Sequence, residues 1–239
     1  MATARGNSAF VQPRGVEVAA GPYSVRGAPG EFGPANLGRI GNAGFIVGGD
    51  GVVAVDTGTS YRRGLALGED AAQCAWRQRV QHTAMYTPHA VFDDSHRVEG
   101  IGRSIRVRYF GMSSGPGDIA VHDVASGALL AGGLLDQGCI PGIADGDHDG
   151  WPRALTALRC VSAATIVPGH GPAGTADVID LVERYLNALE ARVTRTLEGG
   201  VGLSEIADRA ALPEFAAWDP YAAIQRRNGS VLYLSLESR

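Results

Sequence analysis

Two short apolar runs, at residues 45 to 47 and 52 to 55, flank the tetrapeptide "GGDG" in "GFIVGGDGVVAVDTG". Runs of this length around a glycine-rich gap predict an antiparallel hairpin over residues 44 to 56, with the glycines supplying the positive φ of a tight turn. Further on, "SIRVRYF" alternates with period two, while "DIAVHD" and "ALLAG" are short apolar runs set apart by "SSGPG" and "ASG". That spacing predicts a β-meander. In "DGWPRALTALRCV" the apolar positions Trp151, Leu155 and Leu158 recur at helical spacing behind Asp149, the expected N-cap. "ATIVPGHGP" reads as a buried strand that ends in a glycine-rich turn.

From residue 176 the period becomes helical. Val178, Leu181, Val182, Tyr185, Leu186, Leu189 and Val193 share one face, and "EGG" closes the helix. A short helix at "SEIADRAAL" follows, then a last one from "DPYAAIQ", with Asp219 as N-cap and Pro220 at the first helical position. Residues 61 to 80 carry a weaker helical pattern broken by two glycines. Residues 1 to 40 are rich in Gly, Pro and Arg, with one strand at "GVEVAA", and are expected to wrap the edge of the core. No linker interrupts this order, so a single α/β domain over 1–239 is expected, with residues 176–239 forming C-terminal helices.

Composition narrows the partners. A chain of 239 residues with 45% hydrophobic content buries a sizeable core without disulfides or metals. Its 21 basic and 25 acidic residues are interspersed, so no basic stripe offers itself to nucleic acid. A small organic molecule is the expected partner, and a homodimer is compatible with the sequence. Cys74, Cys139 and Cys160 are widely spaced, with no C-x-x-C pair, and read as buried thiols in a reducing compartment. No segment reaches the roughly 18 to 20 apolar residues of a membrane span, and no secretory apolar run opens the chain. The expected location is the cytoplasm.

Several side chains are candidates for chemistry. His170 in "PGHGP" sits on a turn after a strand, where α/β sites lie. Asp56 in "DTG" ends an apolar strand and is either a structural anchor or part of the site. Asp136, just after "GGLL", and Tyr86 are candidate general acids or bases. His122 and His148 read as solvated residues. The acidic run "DGDHDG" lacks the oxygen-ligand spacing of an EF-hand loop and reads as the turn before Trp151.

Taken in order, "GFIVGGDGVVAVDTG", "TAMYTPH", "SSGPGDIAV", "LLAGGLL", "GWPRALTAL" and "VPGHGP" resemble the metallo-β-lactamase fold superfamily. The branch they most resemble is that of quinoprotein relay system or Sox-type metallohydrolases. The resemblance runs from about residue 16 onward. It implies a four-layer αβ/βα sandwich with a zinc site at the strand ends, built from T-H-x-H-x-D-H, a histidine before a P-G-D turn, an aspartate after an A-G step, and the histidine of P-G-H-G. Laid on that pattern, "TAMYTPH" keeps Thr83 and His89 but has Ala84, Tyr86 and Pro88 where ligands belong. Ser114 and Gly133 replace the next two ligands, and only His89 and His170 survive. A shift of a few residues brings His82 or His96 nearer the cleft, yet no register of residues 80 to 97 yields H-x-H.

A zinc site wants at least three protein ligands. The resemblance therefore implies a divergent protein without the dinuclear zinc centre and with no expected cofactor. It would use His89 and His170, with Tyr86 and Asp136, for acid/base hydrolysis, elimination or cyclisation of a small ester, lactone or thioester, in a setting such as biosynthesis. Ser114 and Asp56 are the expected substrate-binding residues. Two alternatives stand beside it. One is a non-catalytic binding or scaffold module. The other is a mononuclear metallohydrolase with one ion on His89, His170 and a carboxylate such as Asp136 or Asp118.

Overall fold

The computed structural model describes residues 14–31, 36, 40–56 and 91–238. The helix expected at 61–80, the Thr83–His89 motif with Tyr86, and Cys74 lie outside those residues. Among the described residues nine strands form two sheets. The smaller holds β1 (Val16–Glu17), β2 (Pro22–Val25), β3 (Ala43–Val47) and β4 (Val52–Val55), in that order and antiparallel. The larger holds β5 (Ser95–Val98), β6 (Ile105–Tyr109), β7 (Ile119–Asp123), β8 (Ala128–Asp136) and β9 (Thr165–His170). Its first four strands are antiparallel and β9 joins β8 in parallel.

The expected hairpin is β3 and β4, with Gly44 opposite Val55 and Val47 opposite Val52. Its glycines work differently from the sequence reading, because none of Gly48, Gly49 and Gly51 has positive φ. They are required for space: a Cβ on Gly48 would collide with the Ile101 carbonyl, and one on Gly51 would lie 3.0 Å from the Ile101 side chain. The positive φ falls instead on Asp56, at 54°, a residue type that tolerates the left-handed region. Asp56 is exposed rather than a buried anchor. The meander is β6, β7 and β8. Ile105 and Val107 of β6 turn inward while Arg106 and Arg108 face water.

One cluster, with Ile46, Ile105, Val107, Val121, Leu130 and Val167, fills the space between the sheets. A larger one lies between the other face of the five-stranded sheet and the helices α1 (Gly150–Arg159), α2 (Asp177–Glu198), α3 (Leu203–Arg209) and α4 (Tyr221–Glu237). Helix α2 buries Val178, Ile179, Val182, Tyr185, Leu186, Leu189 and Val193, while Leu181 sits half-buried at the edge of that face. The two expected caps differ. Asp149 precedes α1 but makes no side-chain cap; the Asp147 carbonyl accepts from Trp151 N–H at 2.9 Å instead. Asp219 does not cap α4, which begins after Pro220; its Oδ2 accepts from Gly30 N–H at 2.5 Å. A strand the sequence reading missed, β2, carries Pro22 and Ser24 among its four residues and so lacks an apolar period.

Arg103 staples the sheets together. Its Nε and Nη2 donate to the two oxygens of Asp123 at 2.9 and 2.7 Å, and its guanidinium also donates to the carbonyls of Val47 and Ala20 in the smaller sheet. Asp123 is fully buried. Burial alone would raise its carboxyl pKa, but the hydrogen bonds from Arg103 and Ser126 outweigh it and hold the carboxyl below its ordinary 3.8.

Two stability predictions follow from this packing. Leu189, fully buried on α2, is expected to cost about 2–5 kcal/mol when truncated to alanine, read as a lower urea midpoint; an unchanged midpoint would place α2 off the core. Arg103→Met leaves a buried carboxylate without its cation and is expected to cost about 3–5 kcal/mol. Because the folded carboxyl titrates below the unfolded one, its contribution is complete above pH 3.8 and is lost as pH falls through the folded value. The variant should therefore lose stability less steeply on acidification than the parent, and parallel acid limbs would contradict the assignment.

Candidate active site

The site is built where β8 and β9 end side by side. Register shifts at Gly132 and between Gly132 and Asp136 bend β8, and Gly132 takes φ 53° to do so. Gly169 on β9 meets this bend so closely that a Cβ there would lie 2.7 Å from the Gly132 carbonyl oxygen. The bent pairing places Asp136 directly opposite His170. Asp136 Oδ1 lies 2.7 Å from His170 Nδ1. The aspartate side chain is 6% exposed and the imidazole 36%. A carboxylate accepts, so this contact puts the proton on Nδ1 and gives Nε2 the lone pair.

Asn42 holds the turn that carries the histidine. Its Nδ2 donates to the carbonyls of Pro168 and Gly171, both at 2.8 Å, and its backbone N–H donates to Gly169 at 2.6 Å. Its Oδ1 accepts from Gly27 N–H at 2.9 Å. Gly171, at φ 88°, abuts the Gln137 backbone, and Gln137 N–H donates to the His170 carbonyl at 3.0 Å. His170 Nε2 and Asp56 Oδ2 converge over Gly41, each 4.0 Å from the point where a Cβ on that glycine would sit. A methyl group at 41 would be in ordinary van der Waals contact with both groups.

Ser114 lies one strand away. It and Ser113 donate to Asp118 Oδ2 at 2.6 and 3.1 Å, and Gly115 N–H adds a third bond at 2.6 Å. The Ser114 hydroxyl is 2.9 Å from where a Cβ on Gly133 would stand, so the serine fills the space a side chain at 133 would need. Positions 114 and 133 thus pack on each other. Asp118 is committed to that turn. Among the described residues no three His, Cys, Asp or Glu side chains come together as a metal-binding group.

An open cleft of about 1090 Å³ extends from the dyad and is lined by Arg26, Asp136, Cys139, His170, Asp219 and Arg227 among others. Of the expected site residues, Asp136 and His170 are in contact and Asp56 faces them across Gly41. Ser114 binds Asp118, and Tyr86 and His89 lie outside the described residues. Asn42, Arg26, Arg227 and Cys139 went unremarked in the sequence. Asn42 alone left a signal, a polar residue between glycine and alanine at the mouth of an apolar strand. The other histidines are not the solvated residues expected. His148 is 13% exposed and 3.7 Å from Glu190. His122 is half-buried, its Nε2 is without a partner among the described residues, and burial followed by the charge of Arg106 lowers its pKa.

The fold so defined is metallo-β-lactamase-like. A metallo-β-lactamase from Pontibacter korlensis superposes with a TM-score of 0.56 at 16% identity, over 73% of this chain and 98% of that one. The FIM-1 metallo-β-lactamase from Pseudomonas aeruginosa, in its mono-zinc form, gives 0.56 at 16% identity, over 74% and 96%. DIM-1 metallo-β-lactamase gives 0.56 at 15% identity, over 73% and 96%. No family model matches the sequence, and no curated protein matches it. At these identities the likeness is one of fold. No described helix is long and apolar enough to cross a membrane.

Cys139 tests the electrostatics of the cleft. Burial first, then the charges of Asp136 and Asp219, push its thiol up to about 11 against the opposing pull of Arg26. The thiolate is the reactive form. Cys160 is exposed rather than the buried thiol expected, so at pH 8 iodoacetamide is expected to modify it while Cys139 stays unmodified, as read by peptide mass mapping; rapid alkylation of Cys139 would mean that burial and the negative groups together do not hold its thiol up.

Proposed function

We propose that this protein is a divergent enzyme of the metallo-β-lactamase fold, nearest the quinoprotein relay or Sox-type branch, that acts on a small organic substrate without a dinuclear zinc centre. One observation carries the reading: the 2.7 Å contact between Asp136 Oδ1 and His170 Nδ1 at the mouth of the cleft. It gives an imidazole of fixed tautomer whose second nitrogen acts as a base, with a buried carboxylate to stabilise the imidazolium that forms. In ester or lactone hydrolysis His170 Nε2 takes a proton from water as its oxygen attacks the carbonyl carbon. It then returns that proton to the departing alkoxide oxygen as the acyl C–O bond breaks. The same base supports elimination or cyclisation. Asp56 and Ser114 are assigned to substrate binding, and His89 and Tyr86 to proton transfer.

A second reading keeps one metal ion, because an imidazole oriented through Nδ1 by a carboxylate is also how metal-bound histidines are held. His170 and His89 would be its ligands, with a carboxylate completing the set. Lewis-acid activation of water is the chemistry such an ion supplies.

The two readings separate on a panel of nitrophenyl esters and lactones, with elemental analysis of protein purified without chelator. The expected result is less than one tightly held zinc per chain and turnover that chelator leaves unchanged. His170→Ala should lower turnover by roughly 10²-fold to 10⁴-fold, and Asp136→Asn, which keeps the shape but reverses the tautomer, should lower it comparably. Stoichiometric zinc or iron whose removal abolishes turnover would replace the first reading with the second. Full activity in both variants would remove the dyad from the chemistry, and no turnover of any panel member by the parent would favour a binding module.

A further inference from the structure

We propose that the cleft holds a carboxylate of its substrate between Arg26 and Arg227, so that the substrate class is a small anionic ester or lactone; the inference deepens the catalytic reading above and rests on it. Both arginines line the cleft that contains His170, both are exposed, and among the described residues neither makes an ion pair or a hydrogen bond. Exposed Arg97, Arg106 and Arg195 are likewise without an ion pair among the described residues, so what sets Arg26 and Arg227 apart is their place in the cleft. Arg153, Arg159, Arg209 and Arg226 each lie within ion-pair distance of an aspartate or glutamate, in a chain with more acidic than basic residues.

The cleft does contain carboxylates, but its two inner ones are engaged elsewhere. Asp136 accepts from His170, and Asp219 turns its Oδ2 to the Gly30 N–H. Glu31 stands on the rim, exposed to water. Both guanidiniums border the same stretch of chain. Arg227 Nη2 is 3.5 Å from where a Cβ on Gly142 would stand, and Arg26 is close enough to Cys139 for its charge to act on the thiol. Residues 138 to 142 follow Asp136 directly, so an anion held over them leaves the rest of a small molecule reaching toward His170. A guanidinium presents paired donors that match the two oxygens of a carboxylate. Cys139, neutral at physiological pH, adds no repelling charge.

Succinate tests this without turnover, with its neutral isostere succinamide as the control. Titration into the ¹⁵N-labelled full chain is expected to shift the amides of Gly27, Gly138 and Gly142 saturably for succinate and not for succinamide. Arg26→Gln with Arg227→Gln should weaken succinate about tenfold or more, as expected for loss of charge-assisted bonds, while the melting temperature, set by a core these exposed side chains do not enter, stays put. Equal binding of succinamide, no saturable succinate shift, or unchanged affinity in the double variant would overturn the proposal. Failure of the catalytic reading looks different. A protein that binds succinate through the two arginines but turns over no ester keeps the anion subsite. One that hydrolyses neutral and anionic esters alike and ignores succinate keeps the dyad and loses the subsite.

Discussion

One buried carboxamide fixes where the chemistry stands. Asn42 lies at the start of β3 in the smaller sheet, yet its bonds end on Pro168, Gly169 and Gly171, on either side of His170 at the end of the larger one. It is 6% exposed, so these are bonds out of water, where an unmade partner costs about 1–3 kcal/mol. The two sheets otherwise meet through apolar contacts, which are non-directional and set no register. Asn42 at one end, and the Arg103–Asp123 pair with its reach to Val47 and Ala20, turn that contact into a defined alignment. His170 inherits its position from it.

The remaining constraint is steric. Parallel strands β8 and β9 approach so closely that a Cβ on Gly169 would collide with the Gly132 carbonyl, while Gly132 needs glycine for its φ of 53°, and the bend this allows is what sets Asp136 opposite His170. Glycine at 133 is explained by a different neighbour, the Ser114 hydroxyl, which is itself held by Asp118. Positions 114 and 133 are therefore coupled: a side chain at 133 would have to displace the Ser114 hydroxyl, and with it one of the three bonds to Asp118 Oδ2.

What was legible in the sequence follows from what leaves a local trace. The β3–β4 hairpin, the meander and the buried face of α2 were readable because one-sided burial imposes a period on the chain itself. Asp136 and His170 were nameable as candidates, but their contact depends on a strand pairing across 34 residues that no local pattern encodes. Asn42 reaches carbonyls 126 and 129 residues away and left almost no signal. The "GGDG" glycines were identified for a sound reason that turned out to be the wrong one, since the steric neighbour, Ile101, is distant in sequence. Asp149 and Asp219 match the N-cap preference, but tertiary partners claimed their carboxyls or their places.

The floor of the cleft is as firmly tied as the end that holds Asp136 and His170. Asn228 on α4 donates from Nδ2 to the Pro141 carbonyl at 2.7 Å and to the Tyr185 hydroxyl at 2.8 Å, and its Oδ1 accepts from Ile143 N–H at 3.3 Å. Tyr185 in turn donates to Gln225 Oε1 at 2.8 Å, and Gln225 Nε2 to the Ala210 carbonyl at 2.8 Å. Every one of these side chains is buried. A fully satisfied buried network rigidifies its surroundings, because each bond lost would leave a polar group dry. The stretch from Asp136 to Ile143 is thereby fastened at one end to the histidine of β9 and at the other to helices α2 and α4. Arg227, next to Asn228 on the same helix, is carried into the cleft by that fastening. The backbone that carries Arg227 and the dyad consequently belong to one frame, while its exposed guanidinium keeps the freedom of its own side chain.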